Sequence, residues 1–215
     1  MTSTPRHQCM IYAGSPAQHL PGLAALIAAK LKEGYRCLYL NRPTMVVGIR
    51  SYLVAAGLDV DGQTRDGGLV LSSSQAHFLN GGFDAERMLG QLLDAVQQSR
   101  NDGYAGLWAS GDMSWEFGNE KDFKKLFEYE CELEEAFRNQ PYLSGVCQYH
   151  ADSLPAHAVQ DALYTHQSIY VNETLSRINP YYIPSRASVR QRPNTSASDL
   201  QEMIRDLQLE SSFEI

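Results

Sequence analysis

At 215 residues, with 43% hydrophobic residues, the chain is long enough for a sizeable core and too ordinary in composition for a disordered segment. Its net charge of −7 argues against a nucleic-acid binder resting on a basic surface, and no apolar run approaches the ~20 residues that a membrane span needs. The first residues lack the charged start and apolar stretch of a signal peptide. Cys9, Cys37, Cys131 and Cys147 form no CxxC pair and read as reduced packing residues, so a cytoplasmic location is expected.

Residues 7–13 (HQCMIYA) predict a first strand and Gly14-Ser15-Pro16 a turn. From 17 to 33, Leu20, Leu23, Ala24, Ile27 and Leu31 recur at three- and four-residue spacing, which predicts a helix with Pro21 in its first turn and Gly34 at its end. Residues 37–40 predict a second strand. Thr44 is expected to cap a helix that Gly57 stops, followed by a polar loop over 59–68. A short strand at 69–71 precedes an irregular segment at 77–83. Asp84 then opens a helix with Met88, Leu92 and Val96 on its buried face.

The apolar run at 104–109 predicts a central strand of a parallel sheet, and it breaks into Ser110, Gly111, Asp112, Met113, Ser114 and Trp115. A charged helix is expected over 121–138, with the acids Glu128, Glu130, Glu132, Glu134 and Glu135 reading as a solvated face. Residues 143–149 predict a strand, 156–165 a helix and 169–171 a further strand. Alternating strands and helices imply a three-layer α/β fold with a mostly parallel central sheet across 1–179. Residues 180–215 read as a proline-bearing linker and a short amphipathic helix bearing Leu200, Met203, Ile204 and Leu207, which docks on its own domain or forms a homo-oligomer.

In open α/β sheets, ligands bind outside the carboxyl ends of the strands. Strand ends here supply Tyr12 and Ser15, Asn41 and Arg42, His77, Asp112 and Trp115, and Gln148 and His150, which together are expected to line a ligand pocket. Tyr12 and Trp115 offer apolar walls. Arg42 offers a partner for a carboxylate or phosphate, or for Asp112.

Other chemistry lacks its signposts. The first strand–helix turn, AGSPAQHLPG, has no lysine to reach β/γ phosphates and no Ser/Thr after it for magnesium, although its backbone N–H groups could hold an anion. His7, Cys9, Cys147 and His150 are zinc-ligand types, but their spacings match no zinc motif, so no metal ligand is assigned. No catalytic residue is assigned and no cofactor is named.

The ordered set HQCMIY (7–12), GYRCLYL (34–40), FDAERML (83–89), GLWASGDMSW (106–115), FEYECELEEAF (127–137), LSGVCQYHADSLP (143–155) and ALYTHQSIYVN (162–172) resembles the MEDS family, the methanogen/methylotroph DcmR sensory domain. The resemblance covers about residues 7–172. It implies a RecA/KaiC-like core whose phosphate-binding loop has degenerated, and a sensory role in signalling or transcriptional control. The expected protein is a non-enzymatic sensory domain that binds a small-molecule signal or a signalling protein, with no direct contact to nucleic acid or membrane. The alternatives are an interaction subunit without a small ligand and a residual nucleotide binder or enzyme.

Overall fold

The computed structural model describes residues 6–74, 78–79, 82–116, 122–170, 176–184 and 196–209. Strands β1 (His7–Tyr12), β2 (Arg36–Leu40), β3 (Leu69–Ser72), β6 (Leu107–Asp112), β7 (Leu143–His150), β8 (Ser168–Tyr170) and β9 (Ser176–Ile178) form one sheet in the order β3-β2-β6-β7-β1-β8-β9. All neighbours pair in parallel except β8 and β9, which are antiparallel. The expected α/β fold with a mostly parallel central sheet is therefore present.

The central strands are apolar on both faces, as a sheet covered on two sides requires. Met10, Cys37, Tyr39, Trp108 and Val146 join one core with helices α1 (Leu20–Lys32), α2 (Pro43–Ala55) and α3 (Val60–Arg65). Their strand neighbours Cys9, Leu38, Leu107 and Cys147 join the other core, with α4 (Ala85–Asn101), α6 (Phe123–Asn139) and α7 (Ala156–Thr165). The short α5 (Met113–Glu116) links β6 towards α6, and its Met113 joins that second core.

Several boundaries differ from the sequence expectation. The polar stretch after Gly57 contains α3, because Asp59 accepts from the Gly62 N–H at 2.9 Å and Val60 is buried. Helix α2 begins before Thr44: Arg42 takes the capping position without a side-chain cap, and Pro43 supplies a preset φ. Residues 78–79 and 82–83 pair as a small antiparallel ladder, β4 (Phe78–Leu79) with β5 (Gly82–Phe83), in place of irregular chain. Strand β6 starts three residues later than expected and includes Asp112 itself. Asp84 and Asp122 cap α4 and α6 through the N–H groups of Arg87, Lys124 and Lys125.

Of the proline-bearing linker expected from residue 180, residues 180–184 run against the domain, with the Ile183 N–H donating to the Tyr164 carbonyl at 2.9 Å and Tyr181 packed on the second core, and residues 185–195 lie outside the described residues. The helix that follows, α8 (Ala197–Leu209), packs against α7. It buries Leu200 and Leu207, and Met203 and Ile204 pack partly against the same core. Its apolar face is thus covered by the same chain.

Candidate functional site

Strands β1 and β2 lead into helices on one face of the sheet, whereas β6 and β7 lead into helices on the other. Both junctions, β1 with β7 and β2 with β6, are places where connections diverge from the carboxyl edge. Such divergence opens a crevice above the sheet.

The β1/β7 crevice holds a connected set of polar groups. The Tyr12 hydroxyl donates to Asp112 Oδ2 at 3.1 Å, reaching across β7 to the end of β6. Its ring stacks on His150 at 5.0 Å and lies against His19 at 3.9 Å. The His19 Nε2 is 3.1 Å from Gln148 Oε1, whose amide nitrogen donates to Ser110 Oγ at 2.8 Å. Burial, reinforced by the Asp112 carboxylate, pushes the Tyr12 hydroxyl well above its ordinary range and keeps it a donor.

The turn after β1 is closed by an acid. The Gly14 N–H donates to Asp152 Oδ2 at 2.7 Å, and the Gly14 carbonyl lies 2.9 Å from His150 Nε2. Gly14 has φ +77°, which turns its N–H towards that carboxylate at little steric cost. A protein carboxylate therefore takes the Gly14 N–H, one of the backbone groups considered for an anion.

At the β2 end, Asn41 is fully buried, donating to the Tyr39 hydroxyl at 3.0 Å and accepting from the Arg42 N–H at 2.8 Å. Among the described residues, Arg42 Nε is buried without a hydrogen-bond partner, and the Arg42 charge acts on the Tyr12 hydroxyl. Asp112 accepts from the Ser114 N–H at 2.9 Å and from the Ser114 hydroxyl.

The structure thus brings Tyr12 into contact with both Asp112 and His150, with Gln148 joined through His19 and Arg42 acting electrostatically. Ser15 is exposed in the turn. His77 and the Trp115 side chain lie outside the described residues. His19 and Asp152 were not anticipated. His19 is one turn-length past Ser15, and Asp152 is the first acid after β7, so both positions were readable as rim candidates.

A second polar cluster lies inside the core, between the sheet and α6 and α7. The acids Glu130 and Glu134 do not lie on a solvated face: Glu130 is 1% and Glu134 8% exposed. The reason is register. Leu126, Tyr129, Leu133 and Phe137 form the buried stripe of α6, and Glu130 and Glu134 fall within it. His7 Nδ1 lies 2.8 Å from Glu134 Oε2, and its ring stacks on Phe137 at 4.4 Å. Cys147 Sγ is 3.4 Å from His7 Nε2. His166 Nδ1 lies 2.8 Å from the Ala162 carbonyl, and its Nε2 is 3.4 Å from Glu130 Oε2. The other Glu130 oxygen accepts from the Tyr149 hydroxyl.

Burial, opposed by His7 and by the Tyr149 hydroxyl, pushes the Glu130 carboxyl up to about 7. Burial and the neighbouring His7 hold His166 well below its ordinary range. For Glu134, burial would raise the carboxyl, but hydrogen bonds with His7, Tyr182 and Arg138 hold it below the usual value. Of the four zinc-type residues noted in the sequence, His7 and Cys147 meet here, while Cys9 and His150 give way to Glu130 and His166.

A cavity of about 290 Å³, with Cys131, Glu134, Arg138, Thr165 and Pro184 among its walls, approaches this cluster from the outside. Among the described residues, none of the expected rim positions lines it.

The family model of the MEthanogen/methylotroph, DcmR Sensory domain, MEDS, matches residues 6–167. The chain belongs to the MEDS family. The MEDS match begins just ahead of β1 and ends just past His166, so it takes in both the rim and the buried cluster. Its description is of a sensory domain, and a sensory or regulatory role follows for this chain. A search of curated proteins found no match. Among the described residues, no helix is long and apolar enough to cross a membrane.

Proposed function

We propose that this MEDS domain is a cytoplasmic sensory module that binds a small anionic signal at the carboxyl rim and passes the bound state to a partner in signal transduction or transcriptional control. The observation that carries this reading is Arg42. Among the described residues its Nε is buried without a partner, and its charge acts on Tyr12 of the Tyr12–Asp112 pair. Buried polar groups are almost always satisfied, and a guanidinium is suited to a planar carboxylate or to phosphate. A ligand anion supplies the missing acceptor, while the Tyr12 and His150 rings give it a flat wall.

The reading includes no turnover. The β1 turn has neither the lysine nor the hydroxyl of a phosphate cradle, and Asp152 already takes the Gly14 N–H. Those features fit a RecA/KaiC-like core that has lost its phosphate-binding loop and kept the crevice. A thermal-shift screen of the full chain against carboxylate and phosphate metabolites, nucleotides included, tests the reading. A compound at 100 times its dissociation constant stabilises by about 2.7 kcal/mol, roughly a 5–10 °C rise for a chain of this size. A panel that leaves the midpoint unmoved contradicts it.

A further inference from the structure

We propose that His7, Glu130, Cys147 and His166 form a closed site for a divalent zinc ion inside the core, separate from the rim. Four different elements deliver these groups: β1, α6, β7 and the residue after α7. All four side chains are buried, at 2%, 1%, 4% and 0% exposure, and one ligand atom from each lies within 4.8 Å of every other.

Three of the six edges between the ligand atoms are close to those of a tetrahedron. Zinc bonds of ~2.0–2.1 Å to nitrogen or oxygen and ~2.3 Å to sulfur imply edges of about 3.3 Å between N and O and about 3.6 Å between N and S. The corresponding edges here are 3.4 Å for His166 Nε2–Glu130 Oε2, 3.7 Å for His7 Nε2–Glu130 Oε2 and 3.4 Å for Cys147 Sγ–His7 Nε2.

The hydrogen bonds around the cluster point the right atoms inward. A histidine that ligates through Nε2 donates from Nδ1 to a carboxylate or a carbonyl. His7 has Nδ1 against the Glu134 carboxylate, and His166 has Nδ1 against the Ala162 carbonyl. With both Nδ1 atoms donating, each neutral ring presents a lone pair at Nε2. Among the described residues, His166 Nε2 and Glu130 Oε2 are both buried without a hydrogen-bond partner, and they face each other at 3.4 Å. A cation between them satisfies both atoms at once.

Charge and ligand type agree with this assignment. One thiolate and one carboxylate neutralise a divalent ion, so the filled site carries no net buried charge. Two imidazoles, one thiolate and one carboxylate form a borderline set suited to zinc, and four protein ligands leave no open position, as in structural sites. The cavity bounded by Glu134 and Thr165 adjoins the cluster through Glu134, the partner of His7. The ion would pin β1 and β7 to α6 and to the end of α7.

The test uses the full chain, purified without chelator, with metal content measured by mass spectrometry. The metal-stripped chain is then titrated with cobalt(II). The expected result is one zinc per chain and a cobalt spectrum with tetrahedral ligand-field bands and a thiolate charge-transfer band. Cys147→Ser should remove the charge-transfer band, and Cys131→Ser should keep it. Glu134→Gln leaves the four ligands in place and should weaken cobalt binding by roughly 10–100-fold. Should Cys147→Ser fail to fold, the wild-type spectrum decides alone. Zinc well below one equivalent in a chain that also binds cobalt without a charge-transfer band overturns the proposal. So does a charge-transfer band that survives in folded Cys147→Ser.

Discussion

The hydroxyl of Tyr12, the last residue of β1, donates to the carboxylate of Asp112, the last residue of β6, at 3.1 Å across the intervening strand β7. This bond joins the two strand ends that border the proposed binding crevice. Tyr12→Phe removes it and leaves Asp112 with its Ser114 contacts. The expected cost is about 1 kcal/mol of stability, the net worth of one hydrogen bond. Equilibrium unfolding in urea checks it, with ligand affinity expected to fall along with it.

Adding ATP and magnesium should yield no hydrolysis above background. The β1 turn lacks the groups that reach the terminal phosphates, and the Asp152 carboxylate at Gly14 repels a phosphate from the same backbone. A phosphate-release assay on the purified chain checks this. Magnesium-dependent turnover abolished by Asp112→Ala would show that the cradle was replaced by other residues.

The C-terminal helix should contribute to stability through its buried face. Leu207 is 2% exposed, and truncation of a buried leucine to alanine typically costs ~2–5 kcal/mol. At a helix near the end of the chain the lower part of that range is expected, so Leu207→Ala should lower the melting midpoint by several degrees. Calorimetry reads it, and sizing chromatography of the same variant shows whether α8 also joins two copies.

Asp161 gives a pH-dependent prediction. Burial raises its carboxyl from 3.8 to about 6 in the folded chain. The folded value lies above the unfolded one, so its contribution is fully present below pH 3.8 and is lost as pH rises through 6. Above that point the charged form is a burden, and Asp161→Asn should stabilise the chain at pH 8 but not at pH 4. The gain is on the order of 1 kcal/mol, after allowing for the water that reaches this residue. Midpoints measured at the two pH values check the sign.

The sheet and its helices were legible because strands such as HQCMIY and LSGVCQY are continuous apolar runs, and because Asp84, Gly34 and Gly57 punctuate helices in the ordinary way. Boundaries slipped where tertiary contacts decide: Val60 is buried, so Asp59 starts a helix in a stretch that reads as polar loop. The rim was legible in outline, since Tyr12, Asp112 and His150 all fall at strand ends. The buried cluster was not. Glu130 and Glu134 sit among five acids that look solvated, and only their register with Leu126, Leu133 and Phe137 marks them as inward. His166 carries no motif with Cys147 or His7, because the ligands come together through the fold and not through spacing.

Calorimetric titration of wild type and Arg42→Ala with a compound that stabilises the chain in the thermal-shift screen is the most direct measurement of the rim as the signal site. Loss of a charge-assisted hydrogen bond to the anion should weaken binding by roughly tenfold or more, with the melting midpoint of the unliganded variant nearly unchanged. Wild-type affinity in a folded Arg42→Ala chain would contradict it and place the signal elsewhere.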